Sequence, residues 1–191
     1  DALVIQAKDW PTDAGLYRSV LDSVGGDKPQ FHYIVTVETH GPYVKDKADV
    51  DGHNGVTDYR RRLGNAVQSL AAFKQELDAR GRPYTLVVFG DHLPGLRRHQ
   101  WKNGMKSETD PRLRQVPVLV ASNTGDAAAL AGTISNRPLY CLPPLLLAAI
   151  GQPVTDRYLN HAGEKCQQSE TPMLQPAEAV IQNQLFSKKP L

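Results

Sequence analysis

A chain of 191 residues with 40% hydrophobic and 22% charged residues carries enough apolar material for an ordinary globular core and does not have the composition of a disordered or fibrous protein. Its formal net charge of +2, with no dense run of lysine and arginine, argues against a nucleic-acid surface. No apolar run approaches the ~20 residues of a membrane helix, and the start has no signal-peptide pattern. The chain begins at Asp1 rather than Met, as a processed or partial chain would.

In chain order, strands and helices alternate. Residues 2–7 (ALVIQA) read as a short strand. Residues 12–26 read as a helix: Thr12 and Asp13 cap it, Leu16, Val20, Leu21 and Val24 share a face, and Gly25-Gly26 stop it. Residues 31–38 (FHYIVTVE) are rich in β-branched and aromatic types and predict a buried strand, with His32 in packing or at its rim. A polar loop leads from His40 to about Gly55. The strongest helix follows over 57–80, its stripe formed by Tyr59, Leu63, Ala66, Val67, Leu70, Phe73 and Leu77, with Pro83 beyond its end. Within it, Arg60, Arg61 and Arg62 read as a solvated face.

Residues 84–90 (YTLVVFG) are apolar on both faces, as in a helix-covered parallel sheet. Residues 93–114 show no period. Residues 115–122 predict a strand, 126–134 a short helix, and 143–151 a helix with proline at its start and glycine at its end. Beyond Thr155 the pattern is weak until an amphipathic helix over about 176–186. The expectation is one α/β domain over 1–191, a three-layer α/β/α sandwich around a mostly parallel sheet. Cys141 and Cys166 fit either a single bridge of an exported protein or two unrelated thiols.

Ligands of open α/β sheets bind at the carboxyl ends of strands. One predicted strand ends VETHGPY, placing Glu38 and His40 there, and the other ends GDHLPG, placing Asp91 and His92 there. A carboxylate beside an imidazole suits zinc or manganese, although zinc takes three or four ligands. Gly90 lets the backbone approach a neighbour closely. The bland alternatives are an Asp-His turn and a Gly-Pro turn. Just beyond, Arg97, Arg98, His99, Lys102 and Lys106 form a basic loop suited to an anionic substrate, with Trp101 placed to stack on a sugar or meet lipid head groups. His53, His99 and His161 otherwise read as solvated.

Taken in order, the strand, THGPY, the Tyr-led helix running into VVFGDHLPG, VPVLVAS and CLPPLLLAAIGQP resemble the C-terminal half of the sulfatase-like branch of the alkaline phosphatase superfamily. The likeness is to the lipoteichoic acid synthase, phosphoglycerol transferase and phosphoethanolamine transferase group and spans about 13–155. It implies that Asp91 and His92 are ligands of one divalent metal, zinc or manganese, and that His40 contacts the substrate phosphoryl or sulfuryl group. Arg97, Arg98 and His99 would then meet an anionic phospho- or sulfo-ester, soluble or lipid-linked. The family's nucleophile and remaining metal ligands lie upstream of the matching segment, so the nucleophile is absent from this chain and the metal site is incomplete. The resemblance therefore implies a C-terminal portion of a catalytic domain, inactive by itself. Its parent would be anchored through an N-terminal part at the periplasmic or extracellular face of a bacterial inner membrane. The competing expectation is a non-catalytic α/β binding or assembly module that keeps the scaffold without the nucleophile.

Overall fold

A computed structural model describes residues 12–45, 47, 55–107 and 109–167. The expected strand over 2–7, the helix over 176–186 and His53 lie outside these residues. The chain divides after Gly125 into two compact units.

In the first unit, α1 (Asp13–Ser23) begins where the Thr12 side chain accepts a hydrogen bond from the Gly15 N–H. The start is tied down a second way. Asp13 N–H donates to Glu38 at 3.1 Å, and Glu38 N–H donates back to Asp13 at 3.3 Å. Burial raises the Asp13 carboxyl above the ordinary carboxylate range. Glu38, expected at the site's edge, is thus engaged in holding the helix. At the other end of α1, Arg80 donates to the carbonyls of Leu21 and Val24, so a cation satisfies the helix's last acceptors.

The long helix α2 (Val56–Ala79) packs on α1. Their contact centres on Tyr17 and Phe73, stacked with ring centroids 4.6 Å apart, with Leu21, Val24, Ile34, Leu70, Leu77 and Leu86 around them. Desolvation in this core pushes the Tyr17 hydroxyl up to about 12. The expected stripe holds for its C-terminal half only: Leu63 and Val67 are exposed. The lengths explain this, because the 11 residues of α1 cannot cover the 24 of α2.

The strands β1 (Thr85–Phe89) and β2 (Val118–Ser122) pair antiparallel, Thr85 opposite Ser122 and Phe89 opposite Val118. Helices and strands alternate as an α/β chain should. The pairing direction differs from the mostly parallel sheet expected, because runs apolar on both faces pair either way. Residues 31–38 correct the reading more sharply. They form no strand, and no ladder partner stands beside them among the described residues. Ile34 packs on the core while Phe31, Tyr33 and Val35 are exposed, and His32 is exposed rather than packed. Composition supplied β propensity, but a strand exists only with a neighbour to bond. Between β1 and β2, where no period was visible, lie a short helix α3 (Arg97–Lys102) and a 3-10 turn (Pro111–Arg114).

The second unit holds α4 (Ala127–Ile134), a 3-10 turn (Leu139–Cys141), α5 (Leu142–Ala149) and α6 (Arg157–Gln167). Its core is Leu130, Ile134, Leu142, Leu145 and Ala162 around a fully buried Cys141–Cys166 disulfide with Cα atoms 5.6 Å apart. The bridge resolves the two cysteine alternatives. The sequence reading did not include α6, an amphipathic helix whose buried residues, Ala162 and Cys166, are small. A Cβ on Gly163 would meet the Pro144 Cβ at 3.3 Å, so glycine lets α6 approach α5 closely.

Two stability effects are expected. Phe73→Ala should cost about 4 kcal/mol by transfer and cavity terms. Opening the bridge, whose cysteines are 25 residues apart, should cost about 3 kcal/mol of loop-closure entropy. Denaturant midpoints of the variant, and of wild type with and without reductant, check both.

Candidate functional site

His40 sits on a turn whose backbone Asp58 and Arg62 hold to the first turns of α2. Gly55, at φ +81°, delivers the chain into the helix, and a Cβ there would lie 2.7 Å from the Tyr43 Cβ, so this position demands glycine. Asp58, buried in that first turn, accepts from Val44 N–H at 3.0 Å and pairs with Arg61 at 2.6 Å and Arg62 at 2.8 Å. Arg62 donates to the carbonyls of His40 at 2.9 Å and Pro42 at 3.2 Å, and its guanidinium lies over the Tyr43 ring. Tyr43 donates its hydroxyl to the Thr39 carbonyl at 2.8 Å and meets Tyr59 edge-on. The Gly41-Pro42 peptide is cis. The Arg62 hydrogen bond, helped by the Val44 amide and Arg61 and opposed by burial, lowers the Asp58 carboxyl to about 2.

The turn presents an exposed imidazole. His40 Nδ1 lies 2.6 Å from the Gly41 carbonyl. A carbonyl only accepts, so Nδ1 carries the proton, and in the neutral ring Nε2 carries a lone pair.

Asp91 and His92 leave the carboxyl end of β1 through Gly90 and converge. His92 Nε2 lies 3.6 Å from Asp91 Oδ2, while Asp91 Oδ1 accepts the His92 N–H at 2.9 Å. His92 Nδ1 is 2.8 Å from the Leu93 carbonyl, which again places the proton on Nδ1 and the lone pair on Nε2. A backbone carbonyl on the non-ligating nitrogen is the usual support of a metal-binding histidine. Both side chains face solvent, with 83% and 65% exposure. The donor set suits a divalent ion in kind and falls short in number: no group of three or more candidate ligands occurs among the described residues. A Cβ on Gly90 would meet Val116 and Pro117 at ordinary contact distances, so glycine is not sterically required there.

Arg98, Trp101 and Lys102 of α3, with Lys106 beyond its end, line an open recess of about 450 Å³. Arg97 lines a smaller neighbouring one of about 180 Å³ that shares Trp101. His99 lies against Asn103, with Nε2 3.4 Å from its Nδ2. Of the three residues expected to meet substrate, only Arg98 joins the cation-rich recess. No acidic residue interrupts 92–107, so the positive potential is local and uncancelled in sequence.

Sequence reasoning placed His40, Asp91 and His92 at element ends and read the three arginines as solvated. Arg60 and Arg61 are exposed, as read, Arg61 while pairing with Asp58; the structure corrects the reading for Arg62, which is partly buried and bonds Asp58 and the His40 turn. The signal was available. Asp58 and Arg62 stand four apart at a helix start, the spacing of a same-face ion pair.

Helices alternating with strands along the chain, and a carboxylate and an imidazole at the end of one strand, describe an α/β chain with a polar strand end. The sulfatase family model matches residues 12–148, and the chain belongs to that family, whose domains are enzymes that generally use a metal ion. No curated protein and no solved structure matches the chain.

The Asp58 shift fixes a pH dependence. A folded value of about 2 lies below the ordinary 3.8. The pair's contribution is thus complete above the ordinary value and lost as pH falls through about 2. Wild type should lose denaturant resistance between about pH 4 and about pH 2. Asp58→Asn should be less stable at neutral pH and flatter across that window, as read by urea midpoints.

Proposed function

We propose that this chain contributes the strand-end half of a metal-dependent ester site. The enzyme would transfer a phosphoryl-linked group, phosphoglycerol or phosphoethanolamine, or hydrolyse a sulfuric or phosphoric ester. The observation that carries the reading is the convergence of Asp91 Oδ2 and His92 Nε2 at the end of β1, within the sulfatase match. These two atoms would hold a zinc or manganese ion. When bound, the metal polarises an ester oxygen. His40 Nε2 faces the phosphoryl or sulfuryl group and hydrogen-bonds its oxygens when it carries a proton. Arg98, with Arg97 and His99 on the same helix, draws in an anionic substrate, soluble or lipid-linked.

Two donors do not complete the coordination, so the hydroxyl nucleophile and the further ligands come from outside the described residues, and this chain alone turns over nothing. A buried disulfide suits the oxidising outer face of a bacterial inner membrane. No helix among the described residues is long and apolar enough to cross a membrane, so membrane attachment would rest on another segment.

Calorimetric titration of this chain with Zn²⁺ or Mn²⁺ should give weak binding, with a dissociation constant of roughly a millimolar, or about 4 kcal/mol. Asp91→Asn and His92→Ala should each abolish it. In the full-length enzyme each should cut metal-dependent ester turnover by about a hundredfold or more. Heat unchanged by either variant, with unchanged turnover, would leave the non-catalytic binding module as the better account.

A further inference from the structure

The polar investment of the first unit is concentrated on one short turn, and that turn fixes more than the position of His40. Arg62 grips the carbonyls of His40 and Pro42, at 2.9 and 3.2 Å. These flank the Gly41 carbonyl that receives His40 Nδ1–H at 2.6 Å. With its two neighbours held, the Gly41 carbonyl has little freedom to turn away from the ring. Arg62 is itself held by Asp58, which also takes the Val44 amide on the far side of the turn. Tyr43 packs beneath the guanidinium and closes the turn back to Thr39.

We infer that Arg62, anchored on Asp58, is a positioning residue that sets His40 in the Nδ1–H tautomer and thereby makes Nε2 a proton-accepting atom. The neutral imidazole of an unstructured histidine favours the proton on Nε2 instead. A ring so set hydrogen-bonds a substrate oxygen only after taking up a proton. Neutral, it accepts a proton at Nε2 from an attacking hydroxyl or water; protonated, it returns that proton to a leaving alkoxide. The bookkeeping is closed: one proton enters and leaves at the same nitrogen, and no second donor is required. The same arrangement recurs at His92, whose Nδ1 meets the Leu93 carbonyl; there the neutral amide of Gln100 donates to one flanking carbonyl, that of Pro94, at 2.9 Å, and no cation is seen to span both flanks among the described residues. The assignment of His40 to the site rests on the reading under Proposed function; the tautomer and its dependence on Arg62 do not.

The neighbouring arginine supplies the control. Arg61 also pairs with Asp58, at 2.6 Å, but no bond from it to the turn is seen among the described residues. Long-range ¹H–¹⁵N spectra of the imidazole rings of the full chain, recorded above the histidine titration range, read the tautomer directly. Wild type should show His40 with Nδ1 protonated and Nε2 unprotonated. Arg62→Ala should shift His40 to the Nε2–H form, and Arg62→Lys, which cannot span both carbonyls, should give an intermediate population. Arg61→Ala should leave the ring signals in place. Circular dichroism and the dispersed methyl resonances of the Tyr17–Phe73 core report whether each variant folds, and the lysine variant decides the matter if the alanine variant does not. A wild-type His40 protonated on Nε2 would overturn the inference, as would equal shifts in the Arg61 and Arg62 variants. If the tautomer depends on Arg62 but His40→Ala leaves full-length turnover unchanged, the site assignment falls and the positioning role stands.

Discussion

The first unit turns on a buried carboxylate that two guanidiniums and an amide compete to satisfy. Asp58 lies in the first turn of α2, where the helix's free N–H groups favour negative charge. Burying a charge there costs several kcal/mol unless it is paired and hydrogen-bonded. The pairing is nearly complete, and Arg62 spends its remaining donors on the His40 turn. Removing Asp58 would therefore strand two cations and free a loop together. The long helix supplies a rigid base, the turn is built on its first residues, and the imidazole inherits that rigidity.

The sequence made some of this legible. Helices α1, α4 and α5 were marked by caps, proline and glycine, signals that act through local backbone chemistry. The ends of β1 and α2 were also accessible, because Gly81 and Pro83 punctuate them. The segment 31–38 misled because β propensity reports side-chain shape, whereas a strand needs a partner whose location is a tertiary fact. Helix α6 was passed over although its residues are strongly amphipathic; its buried face is made of the small Ala162 and a bridged Cys166 rather than of large aliphatic side chains. Arg62 looked like a solvent residue because a triple arginine run says nothing of which member turns back toward its own loop.

The candidate metal donors and the histidine turn follow different design rules. His40 is presented by a network that leaves its backbone little choice. Asp91 and His92 are exposed and, among the described residues, are braced by each other and by the Leu93 carbonyl. A cation between them would supply the missing restraint, since ligand geometry and ion are mutually organising. The local positive charge of α3 acts at longer range and is screened by salt. In the proposed reading, steering and coordination would fall to different elements on either side of the Gly90–Leu96 connection.

The apolar segment at 31–35 has a practical corollary. Phe31, Tyr33 and Val35 are exposed at alternate positions, with no ladder beside them among the described residues. Such an edge is a template for self-association into sheet-like aggregates. Concentrated solutions of the isolated polypeptide would be limited by stickiness at this edge well before thermal unfolding, and a single lysine at Tyr33 would be the economical remedy.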